Sequence, residues 1–154
     1  MNEPLGPVVR ECVEGYLYAT PPLEILVLRR PPTRGRIWVP VSGKVDPGDA
    51  DLEAALRREL AEETGLVGSY GMVPLDWHVL FRADNGETWR LHAYAVHVPR
   101  GFVPRLSPEH EAFEWGTFEE ARRRFHYEDN REAVERLGRR LGRESGSPGA
   151  PSEG

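Results

Sequence analysis

The segment DADLEAALRRELAEETGL, residues 49–66, decides how the rest of the chain is read. From Leu52 to Thr64 it contains no Gly or Pro and is built from helix formers. Asp49 or Asp51 can cap its start, and Gly65 stands where a helix ends. On a wheel turning about 100° per residue, with Glu59 at the origin, Leu52, Ala55 and Leu56 fall near roughly +20°, −40° and +60°. Glu62 and Glu63 fall near roughly −60° and +40° on the same wheel. The three glutamates therefore extend the apolar, inward face, and Ala54, Arg57, Ala61 and Thr64 form the back.

That placement breaks several local rules at once. Like charges three and four residues apart repel by about 0.2–0.5 kcal/mol per pair. Negative charge at a helix C-terminus opposes the macrodipole, and an unpaired carboxylate facing the interior is costly. Conflicts that coincide point to a functional site. A divalent cation resolves them together, because carboxylates at i, i+3 and i+4 converge. A donor set of oxygen alone suits Mg²⁺, with Mn²⁺ as a substitute. Such ions keep open positions for water and phosphate, so the pattern points to chemistry on a polyphosphate.

Composition bounds the remainder. A chain of 154 residues is long enough for one domain with a core of its own. Cys12 is the single cysteine, which excludes an internal disulfide and argues against a thiolate metal site. The net charge of −5 argues against broad nucleic-acid binding, and no apolar run reaches membrane-spanning length. With no signal peptide visible at the start, a cytoplasmic location is the expectation. The expected partner is a small-molecule diphosphate, with neither nucleic acid nor membrane, in a monomer or homodimer.

Strand-like runs occur at 8–19, 23–30, 37–41, 73–83, 88–98 and 111–116, with Asn85-Gly86 marking a hairpin. Residues 42–51 read as an irregular loop. Thr117 and Glu120 have capping-box spacing, and a last helix is expected from Asp129 or Asn130 to about Gly142. The order gives a mixed sheet with helices on its faces, an α/β or α+β sandwich. The domain is expected over 1–142, with the Gly/Ser/Pro-rich 143–154 a disordered tail.

Residues 43–66, GKVDPGDADLEAALRRELAEETGL, resemble the signature of the Nudix hydrolases, G-x5-E-x7-R-E-U-x-E-E-x-G-U with U aliphatic. Gly43, Arg58, Glu59, Leu60, Glu62, Glu63, Gly65 and Leu66 match in kind. Asp49 replaces the first glutamate, and eight residues instead of seven separate it from Arg58. The resemblance implies the Nudix fold, an α/β/α sandwich, and Mg²⁺-dependent hydrolysis of a diphosphate linkage. It makes Glu59, Glu62 and Glu63 metal ligands, gives Arg58 the orienting of carboxylates, and gives Asp49 the holding of the loop. The segments IWVPVSGKVDPGD, SPEHEAFEWGTFEEA and YEDNREAVERL are similar to the bacterial dihydroneopterin triphosphate pyrophosphatases. That likeness adds Glu109 as a metal ligand or general base.

Candidate substrate contacts are Trp38 for stacking, Gly43 and Lys44 in the loop, Arg29 (with Arg30) at a strand end, and Tyr127 with Asn130. Each has a bland alternative in packing or in a solvated surface. The leading expectation is hydrolysis of a nucleoside triphosphate-like substrate, dihydroneopterin triphosphate or a (d)NTP, to a monophosphate and pyrophosphate. The alternatives are a nucleotide-pool sanitising enzyme, a dinucleoside polyphosphate hydrolase, and a Nudix-fold module that binds a nucleotide without cleaving it.

Overall fold

The alternation of the first strand, β1 (Val8–Ala19), sets the architecture, because its two faces enter two separate cores. Val13 and Leu17 point one way, and Tyr16 and Tyr18 point the other. The computed structural model describes residues 4–142. The expected tail over 143–154 lies outside the described residues.

Six further strands follow: β2 (Glu24–Arg29), β3 (Trp38–Val39), β4 (Val41–Lys44), β5 (Gly71–Arg82), β6 (Thr88–His97) and β7 (Ala112–Gly116). They form one mixed sheet. β6 runs parallel to β1 along one side, and β5 pairs antiparallel outside β6. The other side of β1 is shared end to end, with β4 opposite Cys12–Gly15 and β2 opposite Tyr18 and Ala19. β7 and β3 then pair with β2.

Helix α1 (Leu52–Thr64) covers one face through Ala55, Leu56 and Leu60, packed on Val13, Leu17, Val41 and Val96. Helices α2 (Phe118–Arg124) and α3 (Glu128–Arg140) cover the other, where Phe125, Ala133, Val134 and Leu137 meet Tyr16, Ile25 and Val27. This is the α/β/α sandwich. Among the described residues no helix is long and apolar enough to cross a membrane.

Three expectations need correction. The run 37–41 is two short strands separated at Pro40, which lacks the N–H a ladder requires. Ser42–Lys44, expected in an irregular loop, belong to β4 because Val41–Lys44 align with Gly15–Cys12. The last helix starts at Glu128, just ahead of both expected starts, with Asn130 in its first turn reaching back to the Tyr127 N–H.

The face beneath α3 holds a buried polar chain. Glu14 is 3% exposed and accepts a 2.6 Å hydrogen bond from the Tyr16 hydroxyl, which accepts one from Asn130 Nδ2 at 3.0 Å. Burial pushes the Glu14 carboxyl up to about 7; Tyr16 pulls it down in part, and Asp129 adds a small upward push. A carboxyl raised in the folded state is most favourable below its unfolded value. Stability is therefore lost as pH rises from 4.5 through about 7, by roughly 3 kcal/mol in all. Glu14→Gln keeps an acceptor for Tyr16 but cannot ionise. Urea midpoints at pH 5 and pH 8 should separate in the wild type, and the variant should lack the Glu14 part of that loss. Equal losses in the two proteins would contradict the assignment.

Candidate active site

The local chemistry of α1 explains how its carboxylates are presented. Asp51 accepts the Ala54 N–H at 2.8 Å and starts the helix. Gly65, at φ 75°, ends it in the left-handed conformation and gives its N–H to Ala61 O. Asp49 is thereby left free for another task.

That task is Arg58. Its Nε and Nη2 reach Asp49 Oδ1 and Oδ2 at 3.1 and 2.9 Å, a two-pronged pair. Nη2 also donates to the Lys44 carbonyl at 3.0 Å and lies 3.4 Å from Asp46. On the helix side Nη1 meets Glu59 Oε2 at 2.9 Å and Glu62 Oε1 at 3.5 Å. Asp49 also accepts the Asp46 N–H at 2.7 Å, so one aspartate folds the loop and ties it to the helix. The Arg58 hydrogen bonds hold the Asp49 carboxyl below its ordinary range, and Asp49 in turn raises the guanidinium. The shorter side chain and the extra residue before Arg58 are both accommodated.

Glu59 and Glu63 are brought together at the inner end of this bracket. Glu59 is 8% exposed and Glu63 1%. A Cβ at position 43 would stand 2.1 Å from Glu59 Cδ and Oε2, so only glycine lets this carboxylate lie against β4. Burial pushes the Glu63 carboxyl upward, and the neighbouring Glu59 and Glu109 push it further; the Ser42 backbone N–H opposes them. No donor reaches Glu63 Oε2. Glu62 is more exposed and is held by Arg58. As they stand, no three acidic, His or Cys side chains among the described residues gather as a ready coordination set. Glu59 and Glu62 are instead shared with Arg58.

Glu109 is exposed on the loop before β7, within electrostatic reach of Glu63. Beside it His110 is buried, and its Nδ1 stands 4.0 Å from Glu63 Oε1 without a hydrogen-bond partner. Burial, then Arg30 and Arg34, lower the imidazole to about 4, so it is neutral at pH 7.

The other predicted contacts fare differently. Arg29 is bound to Glu111 at 2.8 Å. Trp38 has the guanidinium groups of Arg29 and Arg124 over its ring at 5.5 and 5.3 Å, so stacking on a base would have to displace them. Asn130 uses both ends of its amide inside the protein, on Tyr16 and on the Tyr127 N–H. Tyr127 itself is 47% exposed. The Lys44 ammonium lies 5.0 Å from the Trp89 ring. Strand alternation puts Lys44 on the sheet face opposite Gly43 and the glutamates. Sequence reasoning missed Asp46 and the Lys44 carbonyl as loop anchors, because neither role leaves a trace in residue type.

A NUDIX domain model matches residues 17–137. The chain belongs to the Nudix family. This Nudix chain is 37% identical over 119 residues to an octanoyltransferase of Myxococcus xanthus, covering 75% of the chain and 32% of that protein. It is 36% identical over 92 residues to the asymmetrical bis(5'-nucleosyl)-tetraphosphatase of Mus musculus, covering 54% of the chain and 58% of that protein. The chain thus spans about a third and somewhat over half the length of these two relatives. In three dimensions it resembles the dihydroneopterin triphosphate pyrophosphohydrolase of E. coli, with a TM-score of 0.73 and 20% identity over 85% of this chain and 97% of that one. At that identity the likeness concerns the fold alone.

The contact between Gly43 and Glu59 gives a direct test. Gly43→Ala should displace the carboxylate and lower kcat/KM by at least about a hundredfold, since small misplacements of reacting groups cost that much. Gly48→Ala, in the same loop and with nothing within 4 Å, should leave it unchanged. Equal activity of the two variants would show that Glu59 need not lie on β4.

Proposed function

We propose that this chain hydrolyses a phosphoanhydride bond in a nucleoside polyphosphate with the help of Mg²⁺. The observation that carries the reading is the pair of buried carboxyls, Glu59 and Glu63, pressed together with one oxygen lacking any donor. Such a pair is unfavourable without a positive charge. The donors are carboxylate oxygens, which fit a hard divalent ion. Glu59, Glu62 and Glu63, with Glu109, would hold it.

When bound, the ion supplies Lewis acidity toward the phosphate oxygens and makes a bound water more acidic. The chain's own residues do the rest. Arg58 fixes Glu59 and Glu62 relative to the loop, so the platform is set before substrate arrives. Glu109, exposed beside Glu63, is the candidate to take the proton of the attacking water. The new bond forms between water oxygen and phosphorus, the bridging P–O bond breaks, and the proton passes through Glu109 to solvent. For a nucleoside triphosphate or dihydroneopterin triphosphate, the products are a monophosphate and pyrophosphate. Identity of 36% to a bis(5'-nucleosyl)-tetraphosphatase favours a second reading, a dinucleoside tetraphosphate as substrate. A cytoplasmic location suits either reading.

Glu63→Gln should lower Mg²⁺-dependent turnover by at least about a hundredfold. It should not destabilise the metal-free chain at neutral pH, because it removes a crowded buried carboxyl. It should also abolish the rise in melting temperature that Mg²⁺ gives the wild type. Turnover near the wild-type level would overturn the site. A panel of dihydroneopterin triphosphate, dNTPs and dinucleoside polyphosphates, with products weighed by mass spectrometry, selects the substrate. Stoichiometric nucleotide binding without product over hours would mark a binding module instead.

A further inference from the structure

The sheet ends on one side at β5, which pairs with β6 and, among the described residues, with no other strand. An unpaired edge offers its N–H and C=O groups to any strand that can lie beside it. Proteins protect such edges by shortness, Pro, bulges or charge. The other strands with a single neighbour are short: two residues in β3, four in β4 and five in β7. β7 also carries Glu114, ion-paired with Arg124. β5 is twelve residues long and is protected over its first half alone. There Pro74 lacks an N–H, the ladder breaks between Pro74 and Trp77, and Asp76 stands at φ 54° with its side chain 83% exposed.

From Trp77 to Arg82 the ladder with β6 is unbroken, and the stretch holds no Pro, Gly, Lys or acidic residue. The direction of its backbone groups follows from the hairpin. Ala83 gives its N–H to Glu87 O at 2.8 Å, toward β6. Alternation turns the backbone groups of Phe81, Val79 and Trp77 the same way, and those of His78 and Leu80 outward. The side chains of His78 and Leu80 are exposed as well. This half of β5 is a regular, apolar edge with its hydrogen-bonding groups aimed at solvent.

We infer that this edge pairs with β5 of a second copy of the chain, antiparallel, about a two-fold axis through Val79. A two-fold that joins antiparallel strands stands perpendicular to the sheet and keeps each face on its own side, so residues of equal parity must meet. Centred on Val79, Trp77 faces Phe81 of the second copy, an aromatic pair on the α3 side. His78 faces Leu80, and these are the residues whose outward N–H and C=O groups can exchange bonds. Where the regular ladder stops, Arg82 of one copy reaches Asp76 of the other. Asp76 lies 4.0 Å from Arg140, so there is room for a closer cation. Arg82 already donates to Pro4 O at 3.4 Å, and a guanidinium with its several donors can serve a second oxygen. A centre at Leu80 would set His78 against Arg82 and Trp77 against Ala83, losing both the charge pair and the aromatic pair. α3 reaches β5 at Trp77, with Arg136 over the ring at 4.4 Å, and antiparallel pairing sends the two α3 helices to opposite ends of the shared edge. β6 and β1 separate β5 from β4, so the pairing leaves the carboxylate platform untouched and is independent of the function proposed above.

The test is analytical ultracentrifugation of the full chain over roughly 1 µM to 1 mM, the span from firm to weak association. The average mass of the wild type should climb with concentration toward twice that of one chain. Leu80→Pro removes an N–H that points outward and none that serves β6, so it should stay folded by circular dichroism yet remain single throughout. Val103→Lys, an exposed change away from the edge, should associate as the wild type does. A second arm fixes the register and does not depend on Leu80→Pro folding. Cys12 is buried, so oxidation should leave the wild type unlinked. Val79→Cys should form a disulfide between two copies, because the axis sets its Cα atoms about 4.5 Å apart. Leu80→Cys should not, since its two copies sit diagonally at about 7–8 Å. A wild type that stays single at every concentration, leaving the edge to some other strand or to none, overturns the inference. So does a Leu80→Pro variant that still doubles, or linking through Leu80→Cys in place of Val79→Cys.

Discussion

One guanidinium holds the site together. Arg58 joins the loop after β4 to the inner end of α1, through Asp49, Asp46 and the Lys44 carbonyl on one side and Glu59 and Glu62 on the other. Among the described residues it is the cation in ion-pair contact with Glu59 and Glu62. Its contacts are shared among several oxygens, so none of the carboxylates is fully neutralised by it. That division leaves Glu63, which Arg58 does not touch, as the most frustrated group of the set. The loop is thus ordered by the same residue that orients the platform.

The sheet supplies the second requirement, which is separation of tasks by face. Gly43 looks toward α1 and Lys44 away from it, one residue apart on the same short strand. β1 does likewise, with Val13 under α1 and Glu14 beneath α3. The polar chain from Glu14 through Tyr16 to Asn130 secures α3 on the face opposite the glutamates. Stability and the candidate chemistry are therefore borne by different polar groups, on opposite sides of one sheet.

Much of this was legible in the sequence, for identifiable reasons. β1 and α1 matched their expected bounds because long periodic runs with clear caps leave little choice. The wheel put Glu59, Glu62 and Glu63 on the inward face; Glu59 and Glu63 are buried, whereas Glu62 at the rim is exposed, and Thr64, set on the back, is buried near the helix end. What escaped was through-space partnership. Residue type marks Arg29, Trp38 and Asn130 as able to touch a ligand. Only coordinates show that Glu111, Arg124 and Tyr16 already engage them. Ser42–Lys44 looked like loop because Ser and Gly are turn formers, yet tertiary pairing with β1 overrode that preference. Glu14 did leave a signal, a lone acid on the strand face it shares with Cys12, Tyr16 and Tyr18, where nothing polar is expected.

The pairing of Asp49 with Arg58 carries a lesson about spacing. Both aspartate oxygens reach the arginine although one residue too many lies between them and the side chain is one methylene short. The requirement is a closed ring of contacts in space, and the peptide between its two ends is free to vary so long as the ring closes. In this chain the ring closes across a stretch one residue longer than the signature's interval. A signature written as fixed intervals along the chain will pass over members that still satisfy the physics.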